Sequence, residues 1–226
     1  MTQKTRQTIT TVLFDLDGTL TDPKIGITSS IRYALEQLKR PLSPQTNLDW
    51  CIGPPIRQNF AALLETDDPV LIEQGVTAYR EYFAQTGLLE NDLYPGVPGM
   101  LSALNDLGLR CFVATSKPAV YALPIVEHFG LRPYFAQVYG SELDGTLGDK
   151  GDLIRHVLAV ENLQPARTVM VGDRQHDVLG ARQNEVTAVG VLYGYGSRAE
   201  LTGVGADYLA AQPADVTVLC RRFSMT

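Results

Sequence analysis

The chain has 226 residues, 45% of them hydrophobic and 19% charged, with a formal net charge of −6. That length suits one ordinary domain, or a core with an inserted subdomain, and is enough to bury a substantial interior. The acidic balance and the lack of a basic run argue against a nucleic-acid polymer as partner, and no apolar stretch is long enough to span a bilayer.

The polar run from Met1 to Thr10 lacks the apolar segment of a signal peptide and reads as a short leader before the first strand. That strand is expected over Thr11–Leu16 and leads into Asp15-Leu16-Asp17-Gly18-Thr19. If extended geometry persists through Leu16, Asp15 and Asp17 project to one side at the strand's carboxyl end. Gly18 lets the backbone turn close to a ligand. Two such carboxylates can divide labour, one as nucleophile and metal ligand, the other as acid and base.

From Lys24 to about Leu88 only helical periodicity is present. One helix carries Ile27, Ile31, Ala34, Leu35 and Leu38; a second follows Gly53-Pro54-Pro55; a third runs from about Pro69 to Thr86. Leu88–Leu93 reads as a linker. Helices and strands then alternate: helix Val97–Leu107, strand Leu109–Ala114, helix Ala119–Phe129, strand Phe135–Tyr139, helix Asp149–Val160 and strand Thr168–Val171. Helix His176–Gln183 and strand Ala188–Leu192 follow. A short helix after Ser197, a strand near Asp207–Leu209 and a helix from Pro213 complete the chain.

This order implies an α/β fold with a Rossmann-like, three-layer parallel sheet core and an inserted all-helical cap. The expected division is 1–22 and 90–226 for the core and 23–89 for the cap. Cys51, Cys111 and Cys220 form no CxxC pair, which argues against a zinc site or disulfide framework and fits a reducing cytoplasm. Cys111 falls in an apolar strand pattern and reads as a core residue.

Ligands of such sheets bind at the carboxyl ends of the strands. Besides Asp15 and Asp17, those ends deliver Thr115, Ser116 and Lys117, then Gly172, Asp173 and, one turn on, Asp177; Lys150 opens the helix after the third strand. Carboxylates, a hydroxyl and a lysine on one edge compose a Mg²⁺ site that holds a phosphate. Blander readings exist: Thr115-Ser116 as an N-cap, Asp177 as a helix-dipole charge, Lys117 as a competing phosphate lysine, the aromatics Tyr79, Tyr82 and Phe83 as packing.

Asp15-Leu16-Asp17-Gly18-Thr19, Thr115, Lys150 and Gly172-Asp173-Arg174-Gln175-His176-Asp177 resemble, in order and spacing, the four motifs of the haloacid dehalogenase superfamily of phosphohydrolases. The helical block resembles the small cap of the phosphoglycolate-phosphatase-like branch. Tyr139–Thr146, Gly172–Asp177 and Leu192-Tyr193-Gly194-Tyr195-Gly196 are closer to members called 5′-nucleotidases. Many relatives carry Lys-Pro-x-Pro at the lysine motif, where this chain has Lys150-Gly151-Asp152-Leu153.

The resemblance implies a Mg²⁺-dependent phosphatase acting through an aspartyl-phosphate. Asp15 would be the nucleophile, Asp17 the acid and base, and Thr115 and Lys150 the holders of the transferring oxygens. Mg²⁺ would be held by Asp15, the Asp17 backbone carbonyl and Asp173, with Asp177 in support. Gly18, Thr19, Ser116 and Arg57 would contact substrate, and Gly53 and Pro54 face its far end. The expected partner is a small phosphate ester, first a nucleoside 5′-monophosphate, with 2-phosphoglycolate as the near alternative and a phosphomutase as the distant one. A metal-free dehalogenase would need neither Asp17 nor Asp173. Whether the chain is a monomer or a homodimer is left open.

Overall fold

The computed structural model describes residues 8–224; Met1 to Gln7, most of the expected leader, lie outside them. Six strands form one parallel sheet: β1 (Thr11–Phe14), β4 (Arg110–Pro118), β5 (Gln137–Ser141), β6 (Thr168–Gly172), β7 (Thr187–Val191) and β8 (Tyr208–Ala210). Their order is β5-β4-β1-β6-β7-β8. The chain builds outward from β1 on one side, then returns to pair β6 on the other, so a topological switch point lies between β1 and β6.

Alternation along these strands builds the core. Val12 and Phe14, Cys111 and Val113, and Val169 and Val171 face one layer, with α4 (Val97–Asp106), α5 (Ala119–His128) and α9 (Pro213–Ser224). Leu13, Phe112, Ala114 and Met170 face the other, with α6 (Lys150–Val160), α7 (Gln175–Gln183) and α8 (Arg198–Gly203). Strands this apolar on both faces are the signature of a buried parallel sheet. All three cysteines are free and buried.

The helical block has its own apolar cluster. α1 (Lys24–Gln37), α2 (Ile56–Leu64) and α3 (Pro69–Tyr82) meet through Ile31, Leu35, Phe60, Val76 and Tyr79. The third helix stops sooner than its periodicity suggests, and Phe83–Gly87 form a wider, π-type turn. The linker contains a strand that the sequence pattern hides. β2 (Thr21–Asp22) pairs antiparallel with β3 (Asp92–Leu93), so the two passages between block and core are stitched side by side. Two-residue strands carry no periodicity to read.

Candidate active site

β1 ends at Phe14, two residues before the expected Leu16. The chain turns at once: the Leu16 carbonyl accepts from the backbone N–H groups of Thr19, Leu20 and Thr21. The sharp turn replaces the extended geometry that would have aimed Asp15 and Asp17 alike, and each takes its own lysine. Lys150 Nζ lies 2.9 Å from Asp15 Oδ1 and 2.9 Å from Asp177 Oδ1, and donates to the Ala114 carbonyl at 2.9 Å. Lys117 Nζ lies 2.9 and 2.8 Å from the two Asp17 oxygens.

β4 outruns its expected end and carries Thr115, Ser116 and Lys117 within the strand, paired to β5 through an irregular register. Thr115 is buried, and its hydroxyl accepts from the Lys117 backbone N–H at 3.2 Å. The N-cap reading of Thr115-Ser116 is overturned: Pro118 precedes α5, with no side-chain cap. The Ser116 carbonyl accepts from Ser141 Oγ at 2.8 Å.

Asp173 follows β6 and is fully buried. It accepts from Thr19 Oγ1 at 3.3 Å and from the Tyr195 backbone N–H at 2.8 Å. Gly18 (φ 82°) and Gly194 are required by this packing. A Cβ at Gly18 would sit 2.3 Å from Asp173 Oδ2, and one at Gly194 only 2.2 Å from the Gly18 carbonyl. The Tyr193 and Tyr195 hydroxyls go to the Thr19 carbonyl and to Asp22, so the Tyr-Gly-Tyr-Gly loop covers the site's edge. Asp177 accepts from the Arg174 N–H as a helix cap and also pairs with Lys150.

A cleft of about 310 Å³ opens above Asp17 and Lys117, between the sheet edge and the helical block. Its walls are mainly apolar and aromatic, among them Ile27, Tyr79, Phe83, Pro118 and Tyr121, with Arg57 and Arg80 also on it. Lys117 Nζ lies 4.7 Å from the centre of the Phe83 ring.

A family model for haloacid dehalogenase-like hydrolases matches residues 12–191. The chain belongs to this family. A 5′-nucleotidase of Pseudomonas aeruginosa is 47% identical over 190 residues, 84% of this chain and 86% of that protein. The tyrosine-protein kinase PtkA of Mycobacterium tuberculosis is 39% identical over 185 residues, 82% of this chain and 62% of that protein. A phosphoglycolate phosphatase of Neisseria meningitidis is 30% identical over 193 residues, 82% of this chain and 81% of that protein. Among solved structures, a predicted phosphatase from Clostridium acetobutylicum aligns with a TM-score of 0.92 at 38% identity, over 96% of this chain and 100% of that one. The expected family, fold class and enzyme class all agree with these findings.

Within this hydrolase the electrostatics follow from burial. Asp173 is held well above the ordinary carboxylate range, first by desolvation, then by Asp177 and Asp15. Asp177 is pushed up to about 6, mainly by desolvation and against the pull of Lys150. Desolvation also raises Asp17, with Lys117 opposing. Burial works against the charge of Lys150, but Asp15 and Asp177 outweigh it and hold its pKa above the usual lysine value.

Oxygens of Asp15, Asp173 and Asp177 lie within 4.8 Å of one another. Three crowded, buried carboxylates, one lysine among them, fit a hard divalent cation that takes oxygen ligands. The Asp17 carboxylate stands apart with Lys117, and only its backbone carbonyl is expected to serve such an ion.

Arg57 lies on the cleft, but its guanidinium is engaged by Glu73 and by the Leu143 carbonyl at 3.2 Å. Arg80 donates to the same carbonyl at 2.6 Å. Gly53 and Pro54 line the cleft as well. The chief residue underrated by sequence reasoning is Lys117. Its alternation with Thr115 along β4 was the available signal.

Proposed function

We propose that this hydrolase is a Mg²⁺-dependent phosphatase that cleaves phosphate monoesters through an aspartyl-phosphate on Asp15, with nucleoside 5′-monophosphates as its substrates. The observation that carries the reading is the pair of buried carboxylates, Asp15 on Lys150 and Asp17 on Lys117, with Asp17 and its lysine opening onto the cleft. A phosphoryl dianion entering the cleft would first meet the Lys117 ammonium, and Lys150 and the Thr115 hydroxyl, buried beneath, would take its other oxygens.

A carboxylate oxygen of Asp15 attacks phosphorus, and the bond to the leaving alcohol breaks. Asp17 gives that alcohol a proton, then takes one from the water that hydrolyses the acyl phosphate. Burial suits Asp17 to this, since it favours the protonated form at the start. Mg²⁺ would be held by Asp15, the Asp17 carbonyl and Asp173, with Asp177 beside them, and would offset the repulsion between Asp15 and the dianion. Gly18 and Thr19 supply the turn beneath the phosphate, and Ser116 stands on the cleft wall. Residues 23–89 act as a cap that keeps out bulk water.

The nucleotide assignment is supported by the name of the Pseudomonas relative and by the aromatic walls of the cleft, which offer a planar base more than they offer a two-carbon acid. Phosphoglycolate and transfer to a sugar hydroxyl are the competing outcomes. Buried free thiols fit a reducing compartment such as the cytoplasm. Among the described residues, no helix is long and apolar enough to cross a membrane.

The test is phosphate release, with Mg²⁺ or EDTA, from nucleoside monophosphates, phosphoglycolate and sugar phosphates. Metal-dependent release that disappears in Asp15→Asn is the expected result. Preference for phosphoglycolate would overturn the substrate assignment, and no release from any ester would overturn the phosphatase.

A further inference from the structure

Arg174 follows Asp173 directly, yet its side chain leaves the sheet edge and reaches the helical block. Its Nη1 donates to the Ile52 carbonyl, and its Nε to Glu200 Oε1 at 2.9 Å. Glu200 also accepts from the Gln175 N–H at 2.9 Å, so α8 fixes the root of the arginine. The side chain is only 12% exposed. Its aliphatic part is pressed on Gly53: a Cβ there would lie 2.8 Å from Arg174 Cγ, and Gly53 has φ 104°. The segment so held, Ile52–Pro55, forms one wall of the cleft through Gly53, Pro54 and Pro55 and leads directly into α2 and Arg57.

We infer that Arg174 is a positioning residue that sets where this wall stands over the site, and so which phosphate esters fit beneath it. The inference rests on the phosphatase reading above. An arginine suits the task because its planar fork can be oriented by one partner while donating to another. A charge-assisted bond to a neutral carbonyl ties block to core without burying a carboxylate in the cleft. Asp173 and the wall then belong to one rigid span, since neighbouring residues serve both.

The experiment compares wild type with Arg174→Gln and Arg174→Lys, using a nucleoside monophosphate, which is large enough to meet the wall, and phosphoglycolate, which is not. Loss of one charge-assisted bond predicts a KM for the nucleotide about tenfold higher in Arg174→Gln, at a scale of 1.4 kcal/mol per tenfold. The phosphoglycolate constants move by less than about twofold, and Arg174→Lys recovers part of the loss. Amide hydrogen exchange supplies a readout independent of turnover. Exchange over 52–58 rises in Arg174→Gln, while β6 and α7 keep wild-type protection.

Gly53→Ala, whose Cβ would press on Arg174 Cγ from the other side, should raise the nucleotide KM in the same direction, with circular dichroism confirming that the strained position still folds. Unchanged exchange and unchanged KM in Arg174→Gln would overturn the inference, as would an equal loss on both substrates. If the wild type released no phosphate at all, the phosphatase reading would fall, and the exchange experiment would still decide whether Arg174 holds the wall.

Discussion

Lys150 and Lys117 make the same kind of bond in two different settings. Lys150 stands among Asp15, Asp177 and the Ala114 carbonyl, supplied by the end of β1, the start of α7 and the interior of β4, all in the core. Lys117 has one carboxylate, Asp17, and for its other neighbour the ring of Phe83, which belongs to the helical block. The first lysine is therefore part of the framework that lets three carboxylates be buried together. The second sits where framework and block meet, on the open cleft. Sequence alone treats both as lysines near a phosphate; what separates them is how many fixed partners each would leave behind.

Removal of Lys150 should produce the larger effect. Lys150→Met leaves Asp15 and Asp177 buried beside Asp173 with no cation. Stripping one partner from such a buried pair costs about 3–5 kcal/mol, read by urea unfolding in EDTA. Mg²⁺ should then stabilise the variant more than it does wild type, because the ion would replace part of the missing charge. Equal stabilisation of both proteins would mean that these carboxylates do not form the ion's site.

Lys117→Met should invert that pattern. Asp17 can stay protonated, since burial already raises its pKa, so the stability loss is expected near 1–2 kcal/mol. On the proposed mechanism, turnover falls further, by about 10²–10³-fold, because Lys117 would be a donor to the transferring phosphoryl group. If Lys117→Met destabilised the protein as much as Lys150→Met, the distinction between the two lysines would fail.

Short, continuous apolar runs alternating with helical stretches made the core strands readable, and the acidic, hydroxyl and lysine positions fall at their carboxyl ends because a parallel sheet puts every such end on one edge. The loss came where local pattern stops deciding. Residues 115–118 look like loop, but pairing with β5 keeps them in the strand and brings Lys117 to Asp17. Leu16 looks like strand, but the turn closing on its carbonyl ends β1 earlier. Arg57 was legible as a cleft residue by its position after Gly53-Pro54-Pro55. Its capture by Glu73 and Leu143 depends on helix packing and on a core loop far away in sequence.

Tyr195 probes the junction from the core side. Its backbone N–H serves Asp173, while its hydroxyl serves Asp22 in the strand that leads to the block. Tyr195→Phe removes the hydroxyl's contacts with Asp22 and Tyr94 and keeps the amide, so about 1 kcal/mol of stability should go while the Mg²⁺ affinity measured by calorimetry stays put. A weakened affinity would show that the hydroxyl, and not the amide alone, helps hold Asp173.

The smallest effect belongs to a half-exposed ion pair, Arg57 with Glu73. Arg57 holds Glu73 below the ordinary glutamate range, chiefly through their side-chain hydrogen bond. A carboxylate whose folded pKa is depressed adds stability above its unfolded value of 4.5, and loses it as pH falls through the lower folded value. Glu73 is 47% exposed, so screening reduces its worth to about 0.5 kcal/mol. Glu73→Gln should therefore lie slightly below wild type in stability near pH 7. The gap should close under acid, and also at about 1 M salt, where the screening length shrinks to about 3 Å. Lys150→Met, whose missing partner is buried, should keep its deficit at the same salt concentration. A Glu73→Gln deficit that survived both acid and salt would mean that packing, not charge, holds Glu73 against Arg57, and the contrast between buried and exposed pairs would lose its exposed member.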